Sequence, residues 1–241
     1  GWGLTETSPS VTLTTIDRQW KSGYVGFPIP GVSVRIDDDQ EILVKGPNVM
    51  GGYLDDEEAT AHVLGPDGWF RTGDLGEFTR NGLRIFGRKD GAFKLTTGEK
   101  VHPQRIETVL VNESPYIAQA VALGSGENFV AVLIYPAMSA VTSWAKKNDL
   151  PDERLLDQPE VRAMFAREIE RLNGFIEVKF HRIERAVLTD SEPSLTNGEL
   201  TPSGKLVRKV VVANHKDMLD DLFESDTNEH VILVGKALQK A

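Results

Sequence analysis

The 241-residue chain has no cysteine, which excludes a disulfide framework, a thiolate metal site and a cysteine nucleophile. No apolar run approaches the roughly 20 residues that a helix needs to cross a bilayer. No basic segment followed by an apolar one marks a secretory signal. The lack of cysteine fits a cytoplasmic protein. Positive charge is also scarce: 27 Lys and Arg face 36 Asp and Glu, a net charge of −9. That balance argues against a general nucleic-acid binder, which normally carries a clustered basic surface. A nucleotide substrate stays open, because its site needs only a few local donors and cations. What is present, 40% hydrophobic and 26% charged residues, suits a folded globular chain.

The first third reads as short strands and turns. Residues 32–36 alternate in polarity, Asp37-Asp38-Asp39-Gln40 turns the chain, and residues 41–45 return it as a hairpin. Asp55 is expected to cap a short helix running to Leu64, before Gly65-Pro66-Asp67-Gly68 breaks the chain. A second hairpin is expected to turn at Asn81-Gly82. Beyond Arg88 the pattern changes. Thr96-Thr97-Gly98-Glu99 suggests another hairpin, and Pro103 with Ile106, Val109 and Leu110 suggests a helix. Strands are expected at 117–123, 129–135 and 182–188, helices at 139–148 and 160–172, and a polar loop at 189–204. The expectation is an α+β protein in two parts: a β-rich part over 1–88 and a mixed α+β domain over 89–241.

Four segments carry chemistry. In Gly1-Trp2-Gly3-Leu4-Thr5-Glu6-Thr7, glycines admit a close ligand, the indole can stack on a purine, the threonine hydroxyl can meet phosphate and the carboxylate can hold magnesium. The same residues also suit a plain structural turn. In Asp67-Gly68-Trp69-Phe70-Arg71-Thr72-Gly73-Asp74, the last carboxylate can accept from both ribose hydroxyls, or simply cap a turn. Arg88, in Phe86-Gly87-Arg88-Lys89-Asp90, can bond a ribose or pair with a nearby carboxylate at the surface. In Asn197-Gly198-Glu199-Leu200-Thr201-Pro202-Ser203-Gly204-Lys205, the Pro and Gly fix the direction of a lysine whose ammonium can stabilise charge on a carboxylate and phosphate, or remain solvated.

Taken in this order, the four segments resemble the later motifs of the adenylate-forming superfamily: acyl- and aryl-CoA synthetases, adenylation domains of peptide synthetases, and luciferases. The resemblance runs from Gly1 to about Arg208 and looks most like long-chain fatty acyl-CoA synthetases. It implies an ATP-dependent enzyme that forms an acyl-adenylate from a carboxylic acid and passes the acyl group to CoA, with ATP, Mg2+ and CoA as reactants and metal. By the family pattern, Trp2 lies beside adenine, where a tyrosine is usual, and Gly3 belongs to the same nucleotide-binding segment. Thr5 contacts phosphate, Glu6 associates with magnesium, and Asp74 and Arg88 meet the ribose. Asp90 is implied as the hinge of a mobile C-terminal domain, Gly98 as part of a CoA-side loop, and Lys205 as the adenylation lysine. The family's Ser/Thr/Gly-rich phosphate loop is expected in an upstream N-terminal domain of the same enzyme. The chain alone is therefore expected to be inactive. Two rivals stay open: a carrier protein or reductase as acceptor, and a noncatalytic module of the same fold.

Overall fold

The computed structural model describes residues 1–15, 23–224, 228 and 230–235. The chain divides into two compact units, Gly1–Ala92 and Phe93–Ala241. In the first, β1 (Thr12–Leu13) and β2 (Phe27–Pro28) form a short antiparallel pair. Strands β3 (Ser33–Ile36), β4 (Glu41–Lys45), β5 (Phe70–Thr79) and β6 (Gly82–Arg88) form an antiparallel sheet in chain order, with helix α1 (Glu57–Val63) between β4 and β5. Val11, Val32, Ile42, Val44 and Leu83 build its core.

The sequence-based turns hold with two shifts of one residue. The β3–β4 turn closes at Asp37–Gln40 as expected, with the Gln40 N–H donating to the Asp37 carbonyl at 2.9 Å. The α1 cap is Asp56 rather than Asp55: its Oδ1 accepts the Ala59 N–H at 2.8 Å. Asp55 lies one step earlier in the left-handed region, at φ 55. The second hairpin turns at Arg80-Asn81, so Thr79 pairs with Gly82, which already belongs to the return strand. Gly82 takes φ 112, and a Cβ there would lie 2.5 Å from the Gly26 carbonyl oxygen. Both this backbone conformation and the close approach of two backbones demand a glycine here.

The second unit opens with the small β7 (Phe93–Lys94) and β8 (Lys100–Val101) pair, then α2 (Pro103–Glu113), β9 (Ile117–Leu123), β10 (Val130–Pro136), α3 (Met138–Lys147), α4 (Pro159–Asn173), β11 (Ile183–Leu188), α5 (Arg208–Asn214), α6 (Lys216–Glu224) and β12 (Ile232–Leu233). Pro103 starts α2 at its first turn, where its missing N–H costs nothing. One sheet, ordered β12-β11-β10-β9, is parallel between β10 and β11 and antiparallel elsewhere. Its central strand explains the layering. Every residue of β10 is buried, and alternate side chains enter different cores. Val130, Val132 and Ile134 pack with α2, α3 and α4, whereas Ala131, Leu133 and Tyr135 pack with α5 and α6. An unbroken apolar strand is what a sheet covered on both faces requires.

Of the tail after Phe223, Ile232 and Leu233 pair antiparallel with β11, so this part packs as an extra strand. Residues 225–227, 229 and 236–241 lie outside the described residues. No helix among the described residues is long and apolar enough to cross a membrane.

Arg171 ties α4 to the end of α2. Its Nη2 donates to the Glu113 carbonyl at 2.6 Å, while Nε and Nη2 bind the two Glu168 oxygens at 2.9 Å each. The Arg171 hydrogen bond outweighs the opposing effect of burial and holds Glu168 below the ordinary glutamate value of 4.5. A carboxylate with a depressed folded pKa adds stability that is present above its unfolded value and is lost as pH falls through the folded one. Glu168→Gln is therefore expected to lower the melting temperature at pH 7 and to flatten its decline below the ordinary glutamate value. Thermal unfolding across pH checks this, and a parallel decline in both proteins would contradict it.

Candidate functional site

The register of β5 against β6 sets Asp74 directly opposite Arg88. Side chains on facing residues of adjacent strands lie within reach of each other, and here they meet: Arg88 Nη1 donates to Asp74 Oδ1 at 3.3 Å. The other carboxylate oxygen, Oδ2, accepts the indole N–H of Trp2 at 2.8 Å. Asp74 is buried at 9% exposure, and its own N–H donates to Thr72 Oγ1, which in turn donates to the Ile42 carbonyl. The acid is thus aimed by backbone, strand register and two side-chain donors.

Arg88 is also fixed at its far side, through Nε to Asp90 Oδ1 at 3.3 Å and Nη1 to the Thr72 carbonyl at 3.2 Å. Burial disfavours its charge, but Asp90 and Asp74 more than offset that and raise its pKa. Gly73 clears the space: it takes φ 70, and a Cβ would stand 3.1 Å from Arg88 Nη2.

Beside this group lies an open cleft of about 630 Å³, lined among others by Glu6, Tyr53, Gly73, Arg88, Lys89 and Asp90. Glu6 is the middle residue of a single 3-10 turn, Thr5–Thr7, and its Oε1 accepts the Tyr53 hydroxyl at 3.0 Å. Burial and the Glu6 carboxylate both push the Tyr53 phenol up, so it stays a donor. The floor is Glu41, whose carboxylate receives Arg71 Nη1 at 2.9 Å, Lys89 Nζ at 3.0 Å and the Gly73 N–H at 3.1 Å. Around the cleft itself stand the Glu41 carboxylate, the Arg88 guanidinium, Arg71, Lys89 and the Tyr53 hydroxyl, with Asp74 reached through its Arg88 contact. That inventory suits a sugar and a phosphate chain more than an apolar ligand.

In the second unit, residues 199–207 form a tight hairpin. Leu200 and Leu206 make an antiparallel bridge, and Gly204, at φ 77, closes the turn with its N–H on the Thr201 carbonyl at 2.8 Å. Lys205 stands exposed at the tip.

Residues 90–227 match the family described as AMP-binding enzyme C-terminal domain, and residues 1–54 match AMP-binding enzyme. The chain belongs to the AMP-binding enzyme family. Long-chain-fatty-acid–CoA ligase 1 of Homo sapiens is 32% identical over 241 residues, covering 93% of this chain and 34% of that protein. Long-chain-fatty-acid–CoA ligase FadD15 of Mycobacterium bovis is 33% identical over 235 residues, covering 94% and 38%. The A domain of carboxylic acid reductase from Segniliparus rugosus, solved with AMP and a co-purified carboxylic acid, superposes with a TM-score of 0.64 at 20% identity, over 92% of this chain and 34% of that one. The chain spans about a third of the length of the curated relatives it matches.

Of the residues singled out from the sequence, Trp2, Asp74, Arg88 and Asp90 form one bonded group, and Glu6 lines the adjoining cleft. Gly3 is demanded by packing, since a Cβ there would lie 1.6 Å from the Pro9 carbonyl oxygen. Thr5 is exposed on the short turn. Gly98 and Lys205 sit on two separate hairpins of the second unit, and Gly98 is held to glycine by its φ of 87 alone, with open space around it. Tyr53 and Glu41 escaped the sequence reading. Tyr53 lies 47 positions from its partner Glu6, and Glu41 looks like any charged residue at the start of a strand.

Glu41 supports the cleft from beneath, and its side chain is 4% exposed. Glu41→Ala is expected to leave Arg71, Lys89 and the Gly73 N–H short of an acceptor and to cost about 1–3 kcal/mol. Urea unfolding checks this; a loss under about 0.5 kcal/mol, the range of an ordinary surface change, would contradict it.

Proposed function

We propose that the chain is the C-terminal part of an AMP-forming acyl-CoA synthetase acting on a fatty acid in the cytoplasm. The observation that carries this reading is the Asp74 carboxylate, clamped between the Trp2 indole and the Arg88 guanidinium. A buried, pre-aimed carboxylate at a strand is the group that nucleotide-binding folds use to accept from ribose hydroxyls. The long-chain ligases among the relatives supply the substrate class.

In this proposal the ribose of ATP bonds Asp74 and Arg88, the adenine lies against Trp2, and Thr5 donates to the phosphates. Glu6 provides one carboxylate, which suits magnesium because that ion commonly takes one or two protein carboxylates and completes its shell with substrate phosphates and water. Among the described residues no cluster of three or more acidic or imidazole groups competes for that role. Bound there, the ion would screen phosphate charge. The fatty carboxylate attacks the α-phosphorus, the bond from that phosphorus to the bridging oxygen breaks, pyrophosphate leaves with that oxygen, and an acyl-adenylate forms. Lys205 offsets the negative charge that gathers during this step, which is where a fixed cation contributes most. The CoA thiol then attacks the acyl carbon, its proton is lost, and AMP departs. Asp90 is the proposed hinge between the two half-reactions, and the Gly98 loop serves the second. An upstream N-terminal domain supplies the phosphate loop and the acid pocket.

The test follows pyrophosphate release by the full-length enzyme with acids of increasing length, with and without CoA. Lys205→Ala is expected to slow release by about a hundredfold or more. Trp2→Phe keeps a ring but removes the Asp74 donor, and is expected to raise KM for ATP roughly tenfold. Turnover that needs CoA and peaks with long acids supports the synthetase. Release indifferent to CoA would move the acceptor to a carrier or reductase, and no carboxylate-dependent release would overturn the enzymatic reading.

A further inference from the structure

Lys205 occupies the tip of its hairpin, and residues 202–205 are all exposed, so no packing holds the tip itself. Its direction has to come from the hairpin backbone and from whatever fixes the base. The backbone part is complete. The Lys205 carbonyl accepts the Thr201 N–H at 2.8 Å, and its own N–H donates to Thr201 Oγ1 at 3.1 Å. The strands close at the base through the Val207 N–H on the Glu199 carbonyl at 2.8 Å.

The base is anchored by an unusual group. Glu199 is 1% exposed, yet it lies in a loop, and its carboxylate takes two side-chain hydrogen bonds and lies against the His215 ring. Oε1 faces Asn214 Nδ2 at 2.9 Å and His215 Nε2 at 3.1 Å, and Oε2 accepts the Tyr135 hydroxyl at 3.1 Å. Tyr135 comes from the central strand β10, and Asn214 and His215 from the end of α5. The backbone N–H of Glu199 is also taken, by Asn197 Oδ1 at 3.0 Å. On the following side, Arg208 ion-pairs with Glu107 and donates through Nη1 to the Ala122 carbonyl at 2.8 Å. Glu107 accepts the Ala122 N–H at 2.8 Å as well.

Burying a carboxylate is costly unless it is well bonded, and an apolar side chain of similar volume would commonly stabilise as much or more. What a hydrogen-bonded carboxylate adds is direction. We propose that Glu199 is a positioning residue for Lys205: its buried carboxylate, held by Tyr135, Asn214 and His215, fixes the base of the hairpin that presents the lysine. This inference rests on the adenylation role given to Lys205 above.

The full-length enzyme, its Glu199→Gln, Tyr135→Phe and Lys205→Ala variants and the Glu199→Gln/Lys205→Ala double variant are assayed in two half-reactions. One is pyrophosphate release with hexadecanoate and ATP; the other is thioester formation from synthetic hexadecanoyl-adenylate and CoA. Glu199→Gln is expected to slow the first roughly tenfold, the worth of one weakened hydrogen bond to a charged group. The second half-reaction should stay within about twofold, and the substitution should add less than about twofold in the Lys205→Ala background, because residues acting as one unit are not additive. Tyr135→Phe keeps the carboxylate and removes one donor, so it is expected to show the same split at smaller size even if Glu199→Gln does not fold. Equal losses in both half-reactions, or a full loss added to Lys205→Ala, would make Glu199 merely structural and overturn the proposal. A Lys205→Ala enzyme with unchanged pyrophosphate release would instead overturn the role of the lysine itself.

Discussion

A slip of one residue between β5 and β6 would carry Arg88 to the opposite face of the sheet, because side chains alternate along a strand. The pairing of Asp74 with Arg88 is therefore the constraint from which the candidate site follows. The register is not uniform along the hairpin. From Thr79–Gly82 to Gly76–Ile85 the two strands keep step, then an irregularity between Leu75 and Gly76 resets the pairing so that Leu75 meets Gly87. A bulge of this kind re-aims the side chains beyond it, and here those side chains are the acid and the guanidinium. Gly73 and Trp2 complete the arrangement, one by giving Arg88 room and the other by occupying Asp74 Oδ2.

Each unit keeps a buried carboxylate beneath a group with a proposed function. Glu41 lies under the cleft of the first unit and gathers Arg71, Lys89 and a backbone N–H. Glu199 lies under the Lys205 hairpin of the second and gathers Tyr135, Asn214 and His215. Apolar burial builds the two cores, but it is non-directional. Hydrogen-bonded acids supply direction where a loop or strand end has to present a functional group. The cost of their desolvation is met only because every oxygen has donors.

Much of the fold was legible because its signals are local. The apolar run of β10, the Pro103 start of α2 and the Asp37–Gln40 turn depend on residues within a few positions of one another. The errors were local too: Asp55 and Asp56 are both good caps, and only backbone geometry separates them. Asp74, Arg88 and Lys205 were singled out as members of a pattern in order along the chain, and the structure brings the first two of them together. The Trp2 contact was not legible. The sequence suggests a ring for stacking, whereas the structure gives its N–H a partner 72 positions away. Tyr53 and Glu199 were invisible for the same reason, since their roles arise from contacts 47 and 64 positions distant.

The central claim is that Asp74, oriented by Trp2 and Arg88, accepts from the ribose of ATP. It is tested most directly by comparing ATP with 2′,3′-dideoxy-ATP as substrates of the full-length enzyme and its Asp74→Ala variant. A site built to hydrogen-bond hydroxyls rejects an analogue lacking them, because its buried polar group is left unpaired. The account predicts a large preference for ATP in kcat/KM for the natural enzyme and its near disappearance in the variant. Equal discrimination by both enzymes would contradict it and place ribose recognition elsewhere.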